Sequence, residues 1–124
     1  MTPVEVAVKF LSAINSRDPD KIAAVMTEDH VFVDSLGHAI QHRDKVREAW
    51  KGYFGMCPDY RVDHEDLFAG GHQVAIFGKA GGTIRGQKWE IPAAWRAVVN
   101  GEQVHEWRVY ADNKPVYDIL NEKR

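Results

Sequence analysis

The chain has little cysteine, no run of basic residues and no long apolar stretch, and each shortage removes a class of protein. Cys57 is the single cysteine in 124 residues, which rules out an intramolecular disulfide and a multi-cysteine metal cage and fits a reducing compartment. Sixteen Lys and Arg stand against eighteen Asp and Glu, for a formal charge of −2. No basic cluster is available to hold a phosphate backbone, so nucleic acid is not an expected partner. The apolar stretches are a few residues long and the N-terminus lacks the basic-then-apolar pattern of a secretory signal. The expectation is a cytoplasmic protein with neither a membrane span nor an export address. No repeat, low-complexity tract or linker breaks the chain, so residues 1–124 are expected to form one domain. For 14.1 kDa the surface scaling laws give roughly 6,700 Å² exposed when folded against about 20,000 Å² unfolded, which leaves enough burial for a core and one cavity.

What is present is a switch of hydrophobic period near residue 60, from 3.6 to 2. Thr2, Pro3 and Glu5 supply an N-cap, a first-turn proline and the second partner of a capping box, followed by a stripe of Val4, Ala7, Val8, Leu11 and Ile14. Asp18 and Pro19 open a second, short helix with Ile22, Val25 and Met26 on its apolar face, expected to stop near Glu28. Val46, Ala49, Trp50, Tyr53 and Phe54 mark a third helix from Asp44 to Phe54, ended by Gly55 and Pro58. Between the second and third helices, VFVDSLGHAI reads as a short strand, a Gly37 turn and a return. After Pro58 come YRVDHEDLF and HQVAIFG, two antiparallel strands joined at Gly70 and Gly71, with a further Gly pair closing the second. KWEIPAAWRAVV and EQVHEWRVYA flank Asn100-Gly101, a strong hairpin signal. The layout is α+β: a cone-shaped, curved antiparallel sheet wrapped over three helices from the N-terminal half, with a pocket inside.

FLSAINSRDPDKIAAVMTEDHVFVDSLG near the start and the paired strands ending in HEWRVYAD carry a resemblance to the nuclear transport factor 2-like superfamily (a cystatin-like fold). The branch it resembles holds the ketosteroid isomerases and the SnoaL-type polyketide cyclases, and the resemblance spans nearly the whole chain. It implies the same cone and a homodimer formed through the sheet. It does not by itself imply an activity, because the superfamily hosts enzymes, binding modules and transport adaptors.

By this resemblance Asp34 falls on the proton-shuttling aspartate of the ketosteroid isomerases. Independently, strand parity sets it beside Phe32, where an apolar wall would disfavour the charged carboxylate and make it a better proton acceptor near neutrality. The alternative is a turn-capping Asp34 that accepts backbone N–H groups between Ser35 and Gly37. The isomerase oxyanion donors are not carried over: Phe10 and Ala94 stand at their positions, and neither donates a hydrogen bond. Arg108 follows Trp107 where the cyclases place an acid–base aspartate. Asp112 corresponds to a late aspartate of the limonene epoxide hydrolases, whose other partners find no match in AIFGKAGG.

Replacement donors and walls are sought among Trp50, Tyr53, Tyr60, Arg96 and Trp107, since Tyr and Trp join apolar area to one polar tip. The aromatic residues at helical spacing read equally as core. Arg96 either neutralises Asp34 or a ligand carboxylate, or lies on the other sheet face and pairs with an acid of a second subunit. His30 shares strand parity with Asp34 and is the second candidate for proton transfer, unless it lies outside the strand in water. His38 and His42 have the spacing of a zinc helix but lack its glutamate, so no metal is expected, nor any other cofactor. The DHED run from Asp63 to Asp66 reads as a solvated edge, and Cys57 as packing. Trp95, Ala97 and Val99 alternate with Arg96 and Val98, so both sheet faces carry apolar groups and a second subunit is the expected cover.

Two functions follow. One is an isomerase-, cyclase- or hydratase-like pocket protein that takes a small apolar or polyketide- or steroid-like molecule, with Asp34 as general base. The other is a non-catalytic ligand-binding or dimeric interaction module. A transport-adaptor role needs a large exposed apolar patch that the sequence does not demonstrate.

Overall fold

Four helices and six strands make up the chain in this computed structural model, which describes residues 1–122. They are α1 (Pro3–Ser16), α2 (Pro19–Ala24), β1 (Met26–Val33), β2 (Ala39–Gln41), α3 (Arg43–Met56), β3 (Arg61–Gly70), β4 (Gln73–Ile84), β5 (Gln87–Asn100), β6 (Gln103–Tyr110) and α4 (Lys114–Leu120). The strands form one sheet in the order β2-β1-β6-β5-β4-β3. The exposed surface is 6962 Å², close to the area expected from the mass.

The local signals hold where they are local. Thr2 and Glu5 exchange both capping-box hydrogen bonds, 3.2 and 3.1 Å, and Asp18 caps α2 through the N–H of Asp20. The β5–β6 hairpin turns at Asn100-Gly101, with Gly101 at φ 64°. β3 and β4 join at Gly71, also at positive φ.

Five features depart from the sequence reading. α1 buries Val6, Ala7, Phe10, Leu11 and Ile14 and leaves Val8 exposed, so its buried face is rotated toward Phe10. α2 ends at Ala24, because the carbonyl of Val25 accepts from the N–H of Val104 at 2.7 Å and draws the chain into the sheet. β1 therefore runs beside β6 and parallel to it, so the sheet is mixed and curved instead of wholly antiparallel. Gly81 and Gly82 lie inside β4, not at its end: a Cβ at Gly82 would land on the Cys57 sulfur, and the turn falls instead at Arg85 and Gly86, both at positive φ. The fourth helix was not anticipated, although Pro115 sits in its first turn and Val116, Ile119 and Leu120 follow helical spacing.

The core fills the concave side of the sheet. Trp95 of β5 and Trp107 of β6 stack at 6.2 Å, and Phe10 of α1 meets Trp107 at 4.8 Å. Among the described residues no helix is long and apolar enough to cross a membrane.

Candidate active site

Where α3 and α4 part above the inner face of β5 and β6, the core leaves a cavity of about 290 Å³. Inward residues alternate along the two strands as a pleat requires: Trp89, Ile91, Ala93 and Trp95 on β5, then Trp107, Val109 and Ala111 along β6 and just past it. α3 contributes Val46, Ala49, Trp50, Tyr53 and Met56, the spacing of one helical face. Tyr60 enters from the segment before β3, Phe32 from β1, and Val116, Tyr117 and Leu120 of α4 form the cover. α4 is tied down at both ends. Asn113 donates to the Ser35 hydroxyl at 2.7 Å, and Arg85 donates to the carbonyls of Ile119 and Leu120.

Aromatic edges and faces dominate the lining. Tyr53 and Tyr60 meet edge-on, with ring centroids 4.9 Å apart and planes at 85°. Trp50 stacks on Phe54 and Tyr60 on Trp89, so one face of each of these rings is taken. Burial holds the Tyr53 and Tyr60 hydroxyls protonated far above the ordinary phenol range. Among the described residues the indole N–H of Trp50 is buried in this lining without a hydrogen-bond partner.

Asp34 is the only charged residue in the lining among the described residues. It sits just past β1, where its Oδ1 accepts from the N–H groups of Leu36 and His38, both at 2.9 Å. Oδ2 lies 3.5 Å from His38 Nδ1, and the side chain is 37% exposed. Asp34 is thus a turn cap that also lines the cavity.

Of the residues singled out in the sequence, Phe32, Asp34, Trp50, Tyr53, Tyr60 and Trp107 meet at this cavity, and four stand outside its lining. His30 is fully buried within β1, stacked 5.9 Å from Phe10, with Nδ1 2.6 Å from the Val104 carbonyl oxygen and Nε2 unpaired. Burial lowers its pKa, against the opposing pull of the Val104 hydrogen bond. It lies neither in water nor in contact with the cavity. Phe10 packs behind Trp107 as core. Arg96 alternates with the inward Trp95, faces outward and pairs with Glu106 of its own chain at 2.7 Å, which raises its pKa. Asp112 is exposed and accepts the N–H of Lys114 at the start of α4. The alternation also sets Ala93, not Ala94, on the inner face; either way the position bears no donor. Trp89, Ile91 and Val109 escaped the sequence reading although strand parity with Trp95 and Trp107 marks them. Tyr117 and Leu120 escaped it with their helix.

The remaining groups are structural. Cys57 is buried, and desolvation raises its thiol pKa. His64 to Asp66 lie on exposed β3 across a bulge, at the sheet edge. Among the described residues no three His, Cys, Asp or Glu side chains gather as metal ligands.

The fold has many relatives among solved structures. A hypothetical protein of ketosteroid isomerase-like fold from Catenulispora acidiphila, in complex with trimethylamine, is 20% identical, covers 86% of this chain and 84% of its own, and superposes with a TM-score of 0.79. TerC co-crystallised with polyporic acid is 15% identical over 98% of this chain and 100% of its own, at a TM-score of 0.84. An uncharacterised cystatin-fold protein from Novosphingobium aromaticivorans is 16% identical over 88% and 97%, at 0.73. At such identities the likeness is one of fold. No curated protein matches the sequence. The family model of the SnoaL-like domain matches residues 7–117, which takes in every wall of the cavity except Leu120, and the chain belongs to that family.

Proposed function

We propose that the protein binds a small, mostly apolar, ring-containing molecule of polyketide-like or steroid-like character in the cone cavity. Asp34 then acts as general base for an isomerisation, cyclisation or hydration. The observation that carries this reading is a wall of aromatic and aliphatic side chains interrupted by one carboxylate, whose Oδ1 is engaged by the turn and whose Oδ2 lies 3.5 Å from His38 Nδ1. A proton leaving a carbon next to a ketone would pass to Asp34 Oδ2, and the C–H electron pair would move into an enolate. The small ligands on two structural relatives, trimethylamine and polyporic acid, support a small-molecule occupant.

A homodimer through the sheet belongs to the same reading. The outer face exposes Phe68, Phe77 and Tyr110, with Phe77, Ala94 and Tyr110 in one row across β4, β5 and β6. A cytoplasmic setting goes with it, on the single free and buried Cys57.

A second reading, a non-catalytic binding module, is favoured by the two backbone N–H groups that Asp34 Oδ1 accepts. Deuterium exchange at the α-carbons of 2-tetralone, followed by proton NMR, separates the two. The enzyme reading expects exchange well above buffer, falling about 10²- to 10⁴-fold in Asp34→Asn, which keeps an oxygen for Leu36 and His38. Bound tetralone without accelerated exchange leaves the binding module, and absence of binding by calorimetry ends both readings.

A further inference from the structure

The cavity lining carries one charge and nothing to balance it. Asp34 stands there alone, because among the described residues the lining holds no Lys, Arg or His. Lys114, next to the lining residue Asn113, is exposed and pairs with Asp118 at 2.8 Å. Ser35 and Asn113, the small polar side chains of the lining, are bonded to each other at 2.7 Å.

What Asp34 keeps when a ligand displaces water differs between its two oxygens. Oδ1 retains the N–H groups of Leu36 and His38, both at 2.9 Å. Oδ2 has the His38 ring at 3.5 Å, on a side chain that is 77% exposed and outside the lining. An apolar occupant takes water from the carboxylate and returns no donor, which is costly for a charge. A carboxylate or phosphate adds repulsion to that cost. A neutral hydroxyl returns a donor, whereas an ammonium returns both a donor and the missing charge.

The rings decide between the last two. Phe32 meets Trp50 at 75°, Trp50 meets Tyr53 at 84° and Tyr53 meets Tyr60 at 85°, with centroids 6.0, 6.4 and 4.9 Å apart. All four line the cavity, and Phe32 lies two residues before Asp34 on the same face. Rings turned across one another present π-density from several directions, which attracts a cation and adds little for an alcohol.

From this arrangement we infer that the ligand is a cation: an apolar, ring-containing molecule with a protonated amine, its ammonium paired with the Asp34 carboxylate within the aromatic wall that begins at Phe32. Asp34 is the counter-ion of the site. A carboxylate neutralised by an ammonium is no general base, so the inference rests on the small-molecule reading above in its non-catalytic form and gives that form a ligand class.

The test compares three molecules that share one ring system: 2-(2-naphthyl)ethylamine, 2-(2-naphthyl)ethanol and 2-naphthylacetate, a cation, a neutral donor and an anion at neutral pH. Affinities are read by calorimetry on the full chain. The wild type is expected to bind the amine about tenfold more tightly than the alcohol, and the carboxylate most weakly. Asp34→Asn, which keeps an oxygen for Leu36 and His38, should bring the amine down to the level of the alcohol and leave the alcohol unchanged. Amine binding no tighter than alcohol binding in the wild type overturns the inference and leaves the cavity reading intact. Tightest binding of the carboxylate overturns it as well. A preference for the amine that survives in Asp34→Asn removes Asp34 as counter-ion and overturns the inference with it. Binding of none of the three overturns the cavity reading itself. The wild-type order of the three decides the matter even if the variant fails to fold.

Discussion

His30 should make the fold acid-sensitive without touching the chemistry. Its ring is fully buried, Nδ1 donates to the Val104 carbonyl, and Nε2 is left bare with no partner. Protonating Nε2 would put a charge beside Phe10 with no acceptor for the new N–H. Desolvation is the largest cause of its lowered pKa; His105 lowers it further, while the Val104 hydrogen bond, Asp29 and Glu106 raise it. A histidine held below its ordinary value of 6.5 binds fewer protons folded than unfolded. Stability is therefore full above the unfolded value, falls as pH drops through it, and levels off below the folded value. One proton is worth about 1.4 kcal/mol per pH unit, so the ceiling on the loss is about 1.4 kcal/mol at one unit below the unfolded pKa and about 2.7 at two. Urea unfolding at a series of pH values, for wild type and His30→Gln, isolates this contribution because every other titrating group is common to both. The expected result is a steeper fall for wild type than for the variant between about pH 6.5 and 5. Parallel curves would show that His30 is not held neutral by burial. A variant that keeps a normal fold but loses tetralone exchange would return His30 to the proton-transfer machinery.

Three further outcomes are expected. A Cβ at Gly78 would land on the Asp63 carbonyl oxygen and press on the His64 backbone at the β3–β4 bulge, so Gly78→Ala should cost about 3 kcal/mol or more. Gly52→Ala, in open space on α3, should instead stabilise by about 0.5–1 kcal/mol, and thermal melts of the two should move in opposite directions. On the outer face Phe77→Glu puts a charge at the centre of the apolar row and should turn the proposed dimer into a monomer in sedimentation experiments, with the helical and sheet signal unchanged.

What could be read in the sequence was whatever a few neighbouring residues decide. Thr2 with Glu5, Asp18 with Pro19, and Asn100 with Gly101 each close their own hydrogen bonds or turn within four residues, and each appears where expected. Gly81-Gly82 looked like a turn because a glycine pair has two uses. Only the approach of Cys57 from another part of the chain shows which one applies. The parallel alignment of β1 with β6 is likewise decided by residues far apart in sequence.

The same division runs through the site. Periodicity assigns a face but not a depth. Phe32, Trp50 and Trp107 line the cavity, whereas His30 and Phe10 share the inward direction but pack in the core outside its lining. For Arg96 the parity against Trp95 was already visible, and the outward alternative is the one adopted, with Glu106 of the same chain as partner. Asp34 caps the turn and also lines the cavity, a double placement that a letter code does not express.

The pairing of β1 with β6 also governs when the cavity can exist. The hydrogen bond from His30 to Val104 spans 74 residues, and the walls from Phe32 and Trp107 become neighbours only when that closure is made. Closing so distant a contact is entropically slow, and until it happens the hairpins of the second half have no first strand beside them. On the ribosome, the emerging chain would therefore carry α1, α3 and their aromatic side chains without a lining to complete. The cavity can be complete only after β6 has been synthesised, and any C-terminal truncation before β6 removes the walls that Trp107 and Val109 supply.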